Sequence, residues 1–233
     1  MISVEWLGQA GYLVKSGDAV VCIDPYLSDC VFEVEGMPRM VAPPVAPAEL
    51  SCDILIATHD HMDHLDPVAV AEMDRHRICF AGPKSCIAHF MQLGIGSDNL
   101  LPFDRGQKGS VGGIRLTAVY ADHTPDSIGV LLEAEGKRLY FTGDTLYCDE
   151  LGEDAAQVDA LFCCINGKLG NMTAEQAAEL AETLRPKLAI PNHFGMFAAN
   201  TVDPSGFLAD MKRLGIPSRV LPVGEYVDIS ALL

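Results

Sequence analysis

Residues 53–67, Asp53-Ile54-Leu55-Ile56-Ala57-Thr58-His59-Asp60-His61-Met62-Asp63-His64-Leu65-Asp66-Pro67, decide how the chain is read. An apolar strand over 53–57 runs straight into four metal-ligand side chains within six residues. Asp66-Pro67 then opens a helix, with Asp66 as N-cap and proline at the first helical position. A tight strand-to-helix turn suits this chemistry, because ligands must converge within ~2.0–2.2 Å of an ion. The spacing of two sets His59 and His61 on one side and leaves Asp63 and His64 to address a second ion. Chance places such a pattern about once in two thousand chains of this composition, so the signal is specific.

Working outward, three further ligand candidates stand just past apolar strands. His123 follows a strand over 114–120, Asp144 one over 138–142, and His193 one over 188–191. His76 and His89 fall in helical, surface-like surroundings and are excluded. The remaining pattern predicts strands over 4–7, 12–15 and 19–23, then a Pro-rich loop over 37–47. Strands follow at 78–81, 127–133 and 160–165, the last apolar enough to be buried on both faces. Helices are predicted from 66 to about 73, over 84–93 closed by Gly94, over 174–184 behind a Thr173/Gln176 capping box, and from 203 to 214. Strands near 219–221 and 226–229 finish the chain. Without a composition break or linker, residues 1–233 read as one α/β domain with face-to-face sheets and outer helices.

The chain has 32 acidic against 16 basic residues, for a net charge of −16. That balance argues against nucleic acid as a partner, since a duplex would be repelled over most of the surface. No apolar stretch reaches membrane-span length, so no membrane partner is expected. The eight cysteines (Cys22, Cys30, Cys52, Cys79, Cys86, Cys148, Cys163 and Cys164) contain no C-x-x-C pair and several lie in apolar runs. With an N-terminus lacking a basic region, this predicts a cytoplasmic protein with reduced, mostly buried thiols.

His59-x-His61-x-Asp63-His64, then His123, Gly143-Asp144-Thr145 and His193, resemble the metallo-β-lactamase superfamily in order and interval over nearly the whole chain. Within it the chain is most similar to the L-ascorbate 6-phosphate lactonase (UlaG-like) group. The shared pieces are Ile23-Asp24-Pro25-Tyr26, Arg39-Met40-Val41-x-Pro43-Pro44, Asn166-Gly167-x-x-Gly170-Asn171 and Ile190-Pro191-Asn192-His193-Phe194-Gly195-Met196-Phe197. It departs in carrying Gln9 where related sequences often have histidine. The resemblance implies a four-layer αββα sandwich with two divalent metal ions (zinc or manganese, or iron) at one edge. His59, His61 and His123 would hold the first ion and Asp63, His64 and His193 the second, with Asp144 bridging and Asp24 fixing a ligand histidine from behind. It also implies homo-oligomeric assembly.

Two divalent ions, less two carboxylates and one hydroxide, leave about +1 in a low-dielectric cleft, which draws an electron-rich or anionic small molecule. The expected reaction is attack by a metal-bridging hydroxide on a lactone carbonyl, with Asp63 and Asp144 as the catalytic carboxylates. Arg39 and Lys168 are candidates to bind an anionic tail, and Asn166 and Asn171 to orient substrate. Three alternatives stay open: a phosphodiesterase on a small phosphodiester, a di-iron oxidoreductase, and a non-hydrolytic metal-binding sensor. His61 speaks against the oxidoreductase, whose relatives carry glutamate there.

Overall fold

The computed structural model describes residues 1–233. The first half comprises β1 (Ile2–Gly8), β2 (Gly11–Ser16), β3 (Ala19–Ile23), α1 (Cys30–Glu35), β4 (Ile54–Ile56), α2 (Pro67–Glu72), β5 (Cys79–Gly82), α3 (Lys84–Gln92) and β6 (Leu100–Pro102). The second comprises β7 (Lys108–Val111), β8 (Ile114–Tyr120), β9 (Ile128–Ala134), β10 (Lys137–Phe141), α4 (Glu150–Asp154), β11 (Ala160–Cys164), α5 (Ala174–Leu184), β12 (Leu188–Asn192), α6 (Ser205–Leu214) and β13 (Tyr226–Asp228). They form a seven-stranded sheet ordered β13-β1-β2-β3-β4-β5-β6 and a six-stranded sheet ordered β12-β11-β10-β9-β8-β7.

Alternation in the strand sequences explains the layering. Val4, Tyr12, Val14, Val21, Ile23 and Ile56 from the first sheet meet Leu116, Val130, Leu132, Tyr140 and Phe162 from the second in one continuous core. Phe141 and Phe162 stack with centroids 4.2 Å apart, and Tyr12 meets both rings from the facing sheet. The opposite face of the first sheet, with Leu55 and Phe80, packs on Ala69 and Val70 of α2 and Phe90 of α3. Helices α4, α5 and α6 cover the second sheet. The result is the αββα arrangement, and β11 is buried throughout, as its unbroken apolar run requires.

Strand direction positions the site. β3, β4 and β5 run parallel, as do β10, β11 and β12, and β8 lies antiparallel to β9, which is antiparallel to β10. The C-terminal ends of β3, β4, β8, β10 and β12 therefore deliver their following loops to one edge of the sandwich.

Local chemistry sets several boundaries. The α5 capping box forms, with Thr173 Oγ1 accepting from Gln176 N and Gln176 Oε1 accepting from Thr173 N. The strand expected at 219–221 is absent: Ser218 makes a single bridge to Ala189 and the chain then leaves the sheet. Four short elements are additions to the sequence reading, namely α1, α4, β6 and β7.

Asp66 does more than cap α2. Its buried carboxylate accepts from Val68 N and Ala69 N of the helix, and from Leu27 N, Ser28 N and Ser28 Oγ of the loop after β3. Five donors on one buried anion make this a large single contribution. Asp66→Ala is expected to destabilise the chain by about 3 kcal/mol, combining a lost cap with unsatisfied buried donors. Urea unfolding measures it, and a loss below about 1 kcal/mol would contradict the reading.

Candidate metal centre

The loop after β4 is anchored by a buried carboxylate from the loop after β3. Asp24 Oδ1 accepts from Thr58 N at 2.7 Å, and Asp24 Oδ2 accepts from Thr58 Oγ1 at 2.7 Å. The same Oδ2 lies 2.8 Å from His64 Nδ1. Because the carboxylate only accepts, His64 presents its N–H there and turns Nε2 inward. The Thr58 hydroxyl, donating to Asp24, accepts from His59 Nδ1 at 3.1 Å, so His59 also aims its Nε2 lone pair inward. His123 is set the same way, its Nδ1 donating to the Gly170 carbonyl at 3.1 Å. A Cβ on Gly170, whose φ is +87°, would lie 3.0 Å from that ring nitrogen, so the close approach needs glycine.

Those settings crowd acceptors together. His61 Nδ1 stands 3.0 Å from His59 Nε2 and 3.1 Å from His123 Nε2, three ring nitrogens around one point. On the other side, Asp63, His64 and His193 form a second trio, and the ligand atoms of each trio lie within 4.8 Å of one another. Asp144 stands between them. Its Oδ2 is 3.8 Å from His123 Nε2 and 3.0 Å from His193 Nε2, while Oδ1 is 3.3 Å from His64 Nε2. His64 Nε2 and Asp144 Oδ1 are both buried without a hydrogen-bond partner. Inward lone pairs, two carboxylates and orphaned polar atoms are the donor set of a divalent cation site, so these residues fit a bound metal.

The structure brings together all seven sequence-predicted ligand residues, with Asp24 directly behind His64. Gly143, at φ +61°, makes the turn that delivers Asp144; a Cβ there would lie 3.0 Å from Thr58 Oγ1 and from the Ile128 carbonyl. Three of the chain's seven non-glycine residues with left-handed backbone, Gln9 (φ 51°), Asp24 (φ 46°) and His193 (φ 59°), stand at the cluster, so part of the chain's backbone strain is held there.

Charge sorts the residues into two groups. Burial opposes protonation of His59, and the neighbouring His64 adds to that, so its pKa lies well below the ordinary value; His123 is also lowered, chiefly by burial. At His64 burial is outweighed by Asp144, Asp24 and Asp63, which hold the pKa well above normal. His193 is likewise raised to about 9 against its burial, by Asp144 and Asp63. Burial would raise the carboxyls of Asp63 and Asp144, but His64 and His193 dominate and keep both well below the usual range.

The other candidates are placed differently. The Arg39 guanidinium donates to the carbonyls of Val41, Ser28 and Tyr26 and stacks on the Tyr26 ring, clamping the Pro-rich loop. Lys168 Nζ donates to the Ala199 carbonyl at 2.9 Å. Neither lines the cleft of about 350 Å³ that opens above the cluster. Asn171 Nδ2 donates to Asp144 Oδ2 at 2.7 Å and Asn166 lies behind it, so both face the ligand carboxylate from within the protein. Sequence reasoning did not assign roles to Thr58 or Gln9. Gln9 is fully buried, and its Nε2 donates to Asp63 Oδ2 at 2.8 Å; its signal was the departure from histidine in the Gly8-Gln9-Ala10-Gly11 turn. His89 lies apart, with Nε2 3.6 Å from Asp60 Oδ2 on the surface.

This fold and this constellation are those of the metallo-β-lactamase class, and comparison with known proteins agrees. A model of the β-lactamase superfamily domain matches residues 21–194. A UPF0173 metal-dependent hydrolase of Saccharolobus solfataricus is 31% identical, with 98% of this chain and 100% of the relative covered. A UPF0173 protein of Pyrococcus furiosus is 27% identical over 91% of each chain. Among solved structures, Igni18, a metallo hydrolase from Ignicoccus hospitalis, superposes with a TM-score of 0.77 at 20% identity over 97% of both chains. An isothiocyanate hydrolase from Delia radicum gut bacteria gives 0.77 at 15% identity, covering 97% of this chain and 98% of that one. The chain belongs to the UPF0173 metal-dependent hydrolase family of the metallo-β-lactamase superfamily.

Two outcomes follow from the charge balance. Asp144→Ala is expected to lose most bound metal by elemental analysis, whereas His89→Ala retains the wild-type complement. Unfolded histidine titrates near ~6.5, so a folded pKa above that adds stability that is complete below ~6.5. For His193 it is lost as pH climbs through about 9. Metal-stripped protein should therefore melt at progressively lower temperature from about pH 7 to 9, while metal binding tightens and releases protons over the same interval. Thermal melts and calorimetry in two buffers measure both; a metal-free melting temperature that rises across this range would contradict the assignment.

Proposed function

We propose that the chain is a dinuclear metal-dependent hydrolase that opens a lactone ring or cleaves a closely related carboxylic ester. The observation that supports it is the convergence of seven ligand-type side chains, five of which (His61, Asp63, His123, Asp144 and His193) line one cleft while His59 and His64 lie buried beneath it. His59, His61 and His123 would hold one ion and Asp63, His64 and His193 the other, with Asp144 reaching toward both. Bound there, the ions supply Lewis acidity and a water acidified for attack near neutral pH.

The protein's own groups do the rest. Asp144 is held in place by Asn171 Nδ2, and Asp63 Oδ2 by Gln9 Nε2. Asp63 Oδ1 makes no hydrogen bond within the protein, which leaves it as the oxygen that would take a proton from the attacking water and pass it to the departing ring alkoxide. Val31, Met37, Leu169 and Phe197 give the cleft apolar walls suited to a hydrocarbon ring or acyl chain. No lysine or arginine lines it, and Glu35 adds a carboxylate at the rim. An uncharged substrate therefore fits better than one with the anionic tail for which the sequence offered Arg39 and Lys168, neither of which lines the cleft.

A pH-stat screen of the metal-reconstituted enzyme tests this. Uncharged γ- and δ-lactones should be hydrolysed at least tenfold faster than phosphorylated sugar lactones, and bis-p-nitrophenyl phosphate should be turned over poorly. Faster cleavage of the phosphodiester than of any lactone would overturn the proposal.

A further inference from the structure

Behind Asp144 runs a chain of three buried side-chain amides with one permitted direction. Asn171 Nδ2 donates to Asp144 Oδ2 at 2.7 Å and to Asn166 Oδ1 at 3.0 Å. Asn166 Nδ2 in turn donates to Asn200 Oδ1 at 2.7 Å and to the Lys168 carbonyl at 3.3 Å. The Asp144 carboxylate and the Lys168 carbonyl only accept, so a flip of Asn171 or Asn166 would set two acceptors against each other, and a flip of Asn200 would set its Nδ2 against Asn166 Nδ2, two donors.

The consequence appears at the far end. Asn200 is 5% exposed, its Oδ1 is committed to Asn166, and its Nδ2 has no partner in the protein. Asn200 lines the cleft alongside His61, Asp63, His123, Asp144 and His193. All five of those would be committed to metal, and the remaining polar lining residue is the Glu35 carboxylate. The wall therefore offers one neutral hydrogen-bond donor. Its backbone is fixed as well: Asn200 N donates to the Phe197 carbonyl at 3.1 Å, and Lys168 Nζ ties the same turn down through Ala199.

We infer that Asn200 is a specificity-determining residue whose Nδ2 donates to an uncharged acceptor oxygen of the substrate, the carbonyl or ring oxygen of a lactone or ester. This rests on the hydrolytic reading for the identity of the ligand, but the direction of the donor follows from the amide chain alone. The substrate class that fits combines a neutral oxygen acceptor with an apolar ring or chain against Leu169, Met37 and Phe197. A substrate offering only donors at that position leaves both groups unpaired.

Asn200→Asp isolates the donor, because it keeps an acceptor for Asn166 and replaces only the NH₂. Asn200→Leu removes the donor without adding charge. The probe is δ-valerolactam, a carbonyl ring that resists hydrolysis, titrated into zinc-loaded protein and followed by calorimetry and by the Asn200 side-chain amide resonances. In wild type those resonances should shift on saturation. Both variants should bind the lactam about fivefold to tenfold more weakly, the worth of one neutral hydrogen bond. Zinc content should match wild type in both variants; Asn200→Asp, which keeps the acceptor for Asn166 Nδ2, should stay folded with a melting temperature near wild type, whereas Asn200→Leu should melt lower because that donor loses its 2.7 Å partner. Lactam binding within twofold of wild type in both variants, or unmoved Asn200 resonances, would overturn the inference. Wild-type protein that binds lactam through Asn200 yet opens no lactone would uphold the donor and remove the lactonase reading, so the two failures are distinguishable.

Discussion

The carboxylate of Asp24 governs the orientation of the site. Buried at the end of β3, it holds Thr58 through backbone and hydroxyl and holds His64 through Nδ1. Thr58 passes the constraint to His59. Two imidazoles are thereby compelled to turn their other nitrogens inward, toward a third and a fourth brought from the opposite sheet. A protein interior does not favour this: each buried polar atom without a partner costs about 1–3 kcal/mol, and here His64 Nε2 and Asp144 Oδ1 are both left so. Three ring nitrogens meeting at 3.0 and 3.1 Å have room for one hydrogen among them at best. The arrangement is relieved by positive charge, supplied by protons on His64 and His193 or by a cation, and the competition between the two makes metal affinity depend on pH.

The sandwich supplies what that crowding needs. A continuous core of 49 buried residues joins the two sheets, and the ligand loops leave from strand ends whose relative positions it fixes. Neither sheet could assemble the centre alone. The first contributes Asp24 and the His59–His64 loop, the second His123, Asp144 and His193. The net charge of −16 is no obstacle to binding an electron-rich substrate, because the local balance at the cleft floor is set by whatever cations the cluster holds. The cleft walls carry no lysine or arginine, so on the proposed reading attraction beyond the cluster itself would come from apolar contact and from the Asn200 amide.

Much of this was legible in the sequence because metal chemistry forces local order. Four ligand-type side chains crowded into the six residues from His59 to His64 have little use except to hold a cation, and His123, Asp144 and His193 announced themselves by following apolar strands. The Asp66-Pro67 start and the Thr173/Gln176 box carry their own local chemistry and produced the expected helix ends. What stayed hidden depends on tertiary contact. β6 and β7 are short and only partly buried, so their alternation is faint. α1 exposes Phe32 and Val34 and has no clear period. Arg39 looked like an anion anchor because its charge is visible in sequence, whereas the three carbonyls that occupy it come from chain segments up to 13 residues away. Gln9 and Asn200 are ordinary amides until the fold sets them against Asp63 and Asn166.

The most direct test is crystallographic. Protein loaded with zinc and measured above the zinc absorption edge should give two anomalous peaks, one within about 2.0–2.2 Å of His59, His61 and His123 nitrogens and one equally close to Asp63, His64 and His193, with Asp144 oxygen in reach of both. Anomalous density confined to surface carboxylates, with the His59–His64 loop empty at full zinc saturation, would contradict the account.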